Sequence, residues 1–218
     1  MNELIKLENI KKSYGQREVL ASIDFVVNKA EFVLIHGKSG CGKSTLLNIM
    51  GLLDTFDEGT YYYNGNLVRK RSKDDLRADT MGFVFQSPCL LENLSIRDNI
   101  LMPYLYNEKA LDTNRLDMLE RLICHFNLEH LTNKKVKFLS GGEKQRVSIA
   151  RAIIKNPEVI FADEPTGNLD PDNAEIVFNE FKRLSKEGKT IIVVTHNTDV
   201  FAEVNRKYII ENGRMFHE

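Results

Sequence analysis

Residues 37–45 read Gly37-Lys38-Ser39-Gly40-Cys41-Gly42-Lys43-Ser44-Thr45, and this stretch decides the fold. It follows an apolar run at 32–36, which has the length of a buried strand, and it leads into an apolar helix. The pattern fits G-x-x-x-x-G-K-[ST] in the strand-to-helix context that the motif requires. The glycines let backbone N–H groups surround phosphate oxygens, and the helix N-terminus adds positive potential. We therefore predict a phosphate-binding loop, in which Lys43 reaches the β- and γ-phosphates of a nucleotide and the Ser44 hydroxyl binds Mg²⁺.

Further apolar runs predict the sheet to which this loop belongs. Buried strands are predicted at 32–36, 83–85, 159–162 and 191–195. Between them, residues 109–126 carry an apolar stripe of helical spacing. A second helix is predicted over 171–187, with Asp170 as its N-cap, Pro171 at its first position and Gly188 as its stop. Strands that alternate with helices predict an α/β fold with a mainly parallel sheet.

Other segments indicate antiparallel structure. Residues 3–10 and 19–27 alternate like strands, and two Asn-Gly pairs sit at the centres of β-rich segments at 60–68 and 208–216. We therefore expect an antiparallel element beside the main sheet. The polar stretch 69–80 is predicted to be a mobile loop.

Composition excludes several classes of protein. The chain has 218 residues, of which 42% are hydrophobic and 28% charged, so one compact domain is expected and wholesale disorder is not. The net charge of −1 gives no overall basic field for gripping nucleic acid, and no nucleic-acid partner is expected. No apolar run reaches the roughly 20 residues that span a bilayer. The N-terminal residues show no signal-peptide core, and three scattered cysteines favour a reducing, cytosolic compartment.

Two acidic residues mark a second element of the site. Asp163 and Glu164 follow the predicted strand at 159–162, whose carboxyl end lies at the same sheet edge as the phosphate-binding loop. We predict that Asp163 faces the metal and that Glu164 polarises a water in line with the γ-phosphate. His196 ends the strand at 191–195 at this edge and is predicted to hydrogen-bond a γ-phosphate oxygen.

A second anion cradle is predicted at the start of another helix. Residues 139–146 read Leu139-Ser140-Gly141-Gly142-Glu143-Lys144-Gln145-Arg146 and precede an apolar helical run. Ser140, Gly141 and Gly142 are expected to present bare N–H groups and a hydroxyl at the helix N-terminus. Because one nucleotide does not need two cradles from one protomer, we expect this one to serve a nucleotide held by another copy. A plain serine N-cap with glycines for a turn is the alternative.

Together these residues resemble the ATP-binding subunit of an ATP-binding-cassette (ABC) transporter over nearly the whole chain. Leu-Ser-Gly-Gly-Glu at 139–143 is similar to the family signature, and residues 37–45 and the Asp163-Glu164 pair are similar to its Walker A and Walker B motifs. Gln86 matches the Q-loop glutamine, Asp170 the D-loop and His196 the switch histidine. Tyr14 matches the aromatic residue that stacks on adenine.

The resemblance implies a fold, a set of sites and a mode of assembly. The fold is a P-loop NTPase (RecA-like) core with an antiparallel β subdomain and an inserted α-helical subdomain. Residues 1–87 and 157–218 are expected to form the nucleotide-binding lobe, and 88–156 the helical lobe. Two copies would enclose two MgATP head to tail. The implied catalytic residues are Lys43, Gln86, Glu164 and His196, and the implied Mg²⁺ ligands are Ser44, Gln86 and Asp163. The implied ATP-binding residues are Tyr14, Gly37 to Thr45 (Gly37, Lys38, Ser39, Gly40, Cys41, Gly42, Lys43, Ser44, Thr45), Ser140, Gly141, Gly142 and Asp170.

A subfamily is suggested as well. Residues 48–54, 82–86, 90–95 and 162–170 are similar to the macrolide-efflux, lipoprotein-releasing and peptide-resistance branch. The branch implies a separate membrane permease, export of peptide, drug or lipoprotein-like cargo, and a cytoplasmic position at the inner face of the membrane. Two segments depart from it: residues 134–138 lack the proline common before the signature, and 69–80 is short and very basic. These departures affect the choice of permease or other partner.

Three other classes of function are alternatives to this interpretation. A nucleic-acid-acting ABC protein usually has two cassettes or a long coiled-coil insertion, and 218 residues hold neither. A P-loop kinase would not explain the residues at 139–143, and its product would be a phosphorylated acceptor. An ATPase that signals through its permease to a cell-envelope partner, without moving cargo, stays open from the sequence.

Overall fold

The computed structural model of this chain describes residues 2–69, 73–105, 113–201 and 203–218. The helices are α1 (Lys43–Met50), α2 (Lys73–Thr80), α3 (Ile96–Leu105), α4 (Thr113–His125), α5 (Gly141–Ile153) and α6 (Pro171–Lys186). The strands are β1 (Glu3–Tyr14), β2 (Arg17–Asn28), β3 (Phe32–His36), β4 (Glu58–Tyr63), β5 (Asn66–Leu67), β6 (Met81–Phe85), β7 (Val159–Asp163), β8 (Thr190–Thr195), β9 (Arg206–Glu211) and β10 (Arg214–His217). No helix among the described residues is both long and apolar enough to cross a membrane.

The strands form two sheets. Six of them lie in the order β10-β9-β3-β8-β7-β6, and all neighbours pair in parallel except β9 with the terminal β10. The other four form an antiparallel sheet in the order β2-β1-β4-β5. The predicted mainly parallel sheet and its antiparallel companion are thus confirmed. The hairpin at 208–216 extends the parallel sheet through β9 and does not join the antiparallel one.

Alternate residues of the central strands face opposite sides of the large sheet, as the two-residue period of a strand requires. In β3, Phe32 and Leu34 pack with residues of α3, α4, α5 and α6, while Val33 and Ile35 pack with α1 and the antiparallel sheet. β7 and β8 divide their side chains in the same way. The parallel strands are therefore covered on both faces, which explains their continuous apolar runs.

The expected loop at 69–80 is wrong for residues 73–80, which form α2, and residues 70–72 lie outside the described part. Asp74 and Asp75 stand in the first turn, where carboxylates favour the helix dipole. Leu76 packs against the apolar cluster between the two sheets, and Arg77 donates to the Leu52 carbonyl at 2.9 Å. The sequence is polar because no residue of the helix is fully buried. Besides Leu76 and Arg77, Lys155 fixes the helix by donating to the Ala78 carbonyl at 2.5 Å and to Asp79 at 3.1 Å. Of the predicted helix at 109–126, residues 113–125 form α4 and residues 109–112 lie outside the described residues.

Candidate functional site

The sheet order gathers the predicted site residues at one edge. The carboxyl ends of β3, β8, β7 and β6 lie side by side, and each is followed by one of the predicted elements. The phosphate-binding loop follows β3, His196 follows β8, the Asp163-Glu164 pair ends β7 and Gln86 follows β6. In the parallel register His36 pairs with Thr195 and Phe85 with Asp163, so these strands end at the same level.

The phosphate-binding loop is closed around its lysine. Gly42 lies just before α1 with a φ of 107°, a conformation that favours glycine. Lys43 is buried, and its Nζ donates to the carbonyl oxygens of Gly37 at 2.8 Å and Lys38 at 3.1 Å. A cation is thus fixed inside the loop at the N-terminus of α1, where the helix dipole also attracts anions.

Ser44 and Asp163 form a contact suited to a divalent cation. The Ser44 hydroxyl donates to Asp163 Oδ1 at 3.0 Å. Burial raises the pKa of Asp163, the Ser44 hydrogen bond opposes that effect, and the nearby Glu164 carboxylate reinforces it. A half-buried carboxylate beside a hydroxyl is the hard oxygen set that Mg²⁺ takes, with waters and phosphate oxygens as the remaining ligands. Within the described part, no three His, Cys, Asp or Glu side chains form a metal-binding group.

Glu164 is held by the end of β8. Its carboxylate accepts from the Thr195 hydroxyl at 2.7 Å and from the His196 backbone N–H at 2.9 Å. Its Oε1 also lies 2.8 Å from His196 Nδ1. Glu164 has a φ of 46°, which is uncommon for a residue with a side chain and turns the chain sharply after β7. The predicted water-polarising carboxylate and the predicted γ-phosphate contact are therefore neighbours.

Gln86 lies beside the turn that follows Glu164. A Cβ placed on Gly167 would be 3.1 Å from Gln86 Nε2, and Asn168 donates its side-chain amide to the Gln86 carbonyl at 3.4 Å. The glutamine is exposed at the same edge as the acidic pair.

Tyr14 and a residue that the sequence did not reveal, Arg17, frame a cavity next to the phosphate-binding loop. They are directly opposed across the two-residue turn between β1 and β2, so their side chains share one face. The cavity has about 260 Å³ and is lined by both residues, Val19 and parts of the loop from Gly40 to Thr45. The Arg17 guanidinium donates to the Gly40 carbonyl at 3.2 Å. An aromatic ring and a cation thus stand beside the place where phosphates are expected.

The rest of the loop faces a second cavity. Lys38, Ser39 and Cys41 line a cavity of about 430 Å³ between the β1–β2 turn and the turn at 211–213. This part of the loop lies away from Tyr14.

Ser140 is both an N-cap and part of the predicted cradle. Its hydroxyl oxygen accepts from the Glu143 N–H at 3.3 Å, while its own N–H donates to Glu143 Oε2 at 2.6 Å. The expectation of a bare N–H is therefore wrong for Ser140, because a capping box uses it. Hydrogen bonds from the Ser140 backbone N–H and from its hydroxyl both lower the pKa of Glu143, so the hydroxyl also belongs to the capping box. No atom lies within 4 Å of a Cβ placed on Gly141, whereas one placed on Gly142 would overlap the Asn173 amide.

Asp170 caps α6 as predicted: its Oδ1 accepts from the Asn173 N–H at 3.0 Å and its Oδ2 from the Asn173 side-chain amide at 2.7 Å. Ser140, Gly141, Gly142 and Asp170 do not line either cavity beside the phosphate-binding loop in the described structure. The phosphate-binding loop, the Asp163-Glu164 pair and His196 are therefore assembled at one sheet edge within the chain. The cradle residues 140–142 and Asp170 stand apart from that edge.

Three residues that contact the candidate site were not identified from the sequence: Thr195, Asp54 and Arg17. Thr195 directly precedes His196 at the end of an apolar strand, and a hydroxyl in that position is a usable signal. Arg17 could have been inferred from the tight turn that places it opposite Tyr14. Asp54, which accepts from the Tyr14 hydroxyl, gave no signal because only the fold brings it there.

Comparison with known proteins gives a consistent result. The family model described as ABC transporter matches residues 20–167. The macrolide export ATP-binding/permease protein MacB of Campylobacter jejuni is 39% identical over 218 residues, covering 99% of this chain and 34% of MacB. MacB of Chlorobium phaeobacteroides is 41% identical, covering 98% of this chain and 33% of its own length. The chain spans about a third of the curated relatives it matches. Among solved structures, the ATP-binding cassette MJ0796, described as a dimeric post-hydrolysis state bound to ADP and Pi, is 34% identical with a TM-score of 0.89, covering 99% of this chain and 98% of MJ0796.

Proposed function

Because this chain belongs to the ABC transporter family, as an ATPase cassette of that fold, we propose that it drives a membrane permease by ATP-dependent head-to-tail pairing of two copies. The observation that carries the proposal is the meeting of Lys43, the Asp163-Glu164 pair and His196 at one sheet edge. Three separate segments supply these groups. Each group can bind a different part of a nucleoside triphosphate, its metal ion or the attacking water.

The proposed binding step uses the loop from Gly37 to Thr45. Its N–H groups and the Lys43 ammonium hold the β- and γ-phosphates, since Lys43 is already buried at the start of α1. Ser44 and Asp163, with Gln86, would hold Mg²⁺. When bound, this cation neutralises charge that develops on the phosphate oxygens.

In the proposed hydrolytic step Glu164 orients the water that attacks the γ-phosphorus. Thr195 and the His196 backbone hold its carboxylate, so its direction is set before the nucleotide arrives. The His196 ring, whose side chain is 62% exposed, is free to contact a γ-phosphate oxygen. Positioning and charge stabilisation of this kind account for most of the rate in phosphoryl transfer.

A second copy completes the proposed site. Ser140, Gly141 and Gly142 begin α5 away from the cavity beside their own phosphate-binding loop, and the space at Gly141 is open. We propose that they bind the γ-phosphate held by the other copy, and that Asp170 faces the same junction. The dimeric state of MJ0796 supports this arrangement for a cassette of the same fold.

The membrane partner is proposed from the relatives. They are named as ATP-binding/permease proteins of macrolide export. Nearly all of this chain aligns with about a third of their length. We propose that the chain works at the cytoplasmic face of a membrane through a separate permease and that the direction of transport is export. Gln86 and the helical lobe, residues 88–156, would carry the movement to the permease.

Sedimentation of Glu164→Gln tests the proposal. Glutamine keeps the size of the side chain and one acceptor oxygen, but it has no negative charge with which to polarise the attacking water. ATP is expected to persist and to shift monomer to dimer, because a ligand that binds the dimer more tightly than the monomer favours the paired state by mass action. ADP and buffer alone should leave a monomer. A dimer indifferent to nucleotide would contradict the sandwich, and ATP-driven cargo flux in vesicles with the co-purified permease distinguishes export from a signalling role.

A further inference from the structure

The Tyr14 ring is covered on one face by a buried lysine. Lys12 is 7% exposed, and its Nζ lies 4.9 Å from the centre of the Tyr14 ring. Tyr14 itself is 51% exposed. Since Lys12 takes the inner face, the outer face is the one available to a flat ligand.

Asp54 fixes both of these side chains. Its Oδ2 accepts from the Tyr14 hydroxyl at 2.5 Å, and its Oδ1 lies 3.3 Å from Lys12 Nζ. The Thr55 N–H also donates to Oδ1, at 2.6 Å. Burial works against ionisation, but the hydrogen bonds from Tyr14, Thr55 and Lys12 together outweigh it, and the pKa of Asp54 is lowered. The carboxylate is therefore an acceptor for the phenol and for the ammonium at once.

The backbone at Asp54 is tied to the helix that begins at the phosphate-binding loop. The N–H groups of Leu53 and Asp54 both donate to the Asn48 carbonyl in α1, at 2.8 and 3.1 Å. Asp54 therefore connects the ring to the far end of α1, whose first residue is Lys43. The Tyr14 hydroxyl also has a hydrogen bond with the Thr45 side chain, so the ring is joined to the phosphate-binding loop both directly and through Asp54 and α1.

The strand end that carries Tyr14 has other attachments. Asp57 accepts from the Ser13 N–H at 2.7 Å, and Lys11 pairs with Glu58 at 2.7 Å. These contacts hold the backbone of β1 but do not touch the ring. The segment after α1 thus contains one acidic residue that accepts a hydrogen bond from the Tyr14 hydroxyl, and the other contacts made by its acids go elsewhere.

We propose that Asp54 is a positioning residue for nucleotide recognition, which holds the Tyr14 ring at a fixed height and orientation above the phosphate-binding loop before ATP arrives. The inference rests on the proposed function, in which Tyr14 stacks on adenine. A ring that is already fixed loses little freedom when the base stacks on it, so binding is stronger than with a ring that must be immobilised. Asp54 acts through Tyr14 and makes no contact of its own with the nucleotide.

Binding measurements with and without the base test this. Isothermal titration of Asp54→Ala should show about threefold to tenfold weaker ATP binding, the range for a side chain immobilised only on binding. Inorganic tripolyphosphate, which has the phosphates and no base, should bind as it does to the wild type. In steady-state assays KM for ATP should rise and kcat should be retained. Asp54→Asn keeps an acceptor oxygen and should lose less.

Two controls separate the possible failures. Glu58→Ala removes an acid from the same segment, one paired with Lys11 in place of Lys12, and should leave ATP binding unchanged. In a Tyr14→Ala background, Asp54→Ala should have no further effect on ATP binding. If Tyr14→Ala alone does not weaken ATP binding, the proposed stacking is wrong. If Tyr14→Ala weakens it and Asp54→Ala does not, or if tripolyphosphate binding falls equally, Asp54 has no positioning role.

Discussion

Gly141→Ala and Gly142→Ala form a matched pair, because the two glycines are adjacent in the first turn of α5 but meet different surroundings. A Cβ at 141 enters open space, whereas one at 142 would lie 2.7 Å from Asn173 Cγ and displace that side chain. Any gain in helix propensity, up to about 1 kcal/mol, is similar for the two variants. Their difference in unfolding free energy therefore isolates the displacement of Asn173.

The magnitude follows from the bonds that Asn173 makes. Its amide donates to Asp170 at 2.7 Å and accepts from Arg146 Nη1 at 3.4 Å. A net hydrogen bond contributes about 0.5–1.5 kcal/mol, and the longer bond belongs at the low end of that range. We expect Gly142→Ala to be less stable than Gly141→Ala by about 1–2 kcal/mol.

Urea unfolding of both variants without nucleotide measures this difference. In an Asn173→Ala background the displaced amide is absent, and the difference should disappear. Equal stabilities of the two variants in the native background would show that Asn173 does not pack against Gly142.

The same pair tests the proposed cradle. Gly141→Ala should fold at least as well as the wild type, yet its methyl group would stand where the γ-phosphate of the second copy is expected. In the Glu164→Gln background it should abolish ATP-dependent dimerisation in sedimentation experiments. A stable Gly141→Ala protein that still dimerises with ATP would refute the role of this helix end.

Other substitutions give separate expectations. Lys43→Ala should lower ATP turnover about a thousandfold, the effect of losing ~4 kcal/mol of transition-state stabilisation, and Lys38→Ala should be mild in the same phosphate-release assay. Near-normal turnover of Lys43→Ala would show that this loop does not hold the phosphates during hydrolysis. Thr195→Val keeps the shape of the side chain but frees one oxygen of Glu164, so kcat should fall about tenfold with KM retained, as for a group that positions the reacting water; an unchanged kcat would mean that Thr195 does not orient the carboxylate. Ser140→Arg in the Glu164→Gln background should restore the monomer in the presence of ATP, since a bulky side chain fills the cradle; a persistent dimer in light scattering would place the interface elsewhere.

Local sequence patterns were sufficient where a residue type and its immediate neighbours determine the structure. The Asn64-Gly65 turn and the Asp170 cap are examples, and each is formed by contacts within a few residues. The helix at 73–80 was missed because tertiary contacts fix it, among them the packing of Leu76, the bond from Arg77 to the Leu52 carbonyl and the contacts of Lys155 with Ala78 and Asp79. The many charged residues of this segment indicated contact with solvent, and we wrongly interpreted contact with solvent as a sign of a mobile loop.

The order of strands was beyond local patterns. Gln86 lies beside the turn after Glu164 because β6 pairs with β7, and nothing within residues 81–86 specifies that neighbour. Asp54 meets Tyr14 for a similar reason: the segment after α1 returns to the end of β1. Residues whose side chains carry the proposed chemistry could thus be identified from the sequence. The residues that orient them could not, because their positions depend on the fold.

Asn173 connects the two parts of the chain that we propose to face a second copy. Its Oδ1 and Cγ pack against Gly142 in the cradle, and its N–H groups bind both oxygens of Asp170. Arg146, one turn further along α5, donates to the same amide. The start of α5 and the start of α6 are therefore joined by one short side chain with few rotatable bonds. We expect a movement that brings the cradle to a γ-phosphate to carry Asp170 with it, because Asn173 contacts both. The same contact explains why a side chain at position 142 would displace Asn173, in contrast to the open space at Gly141.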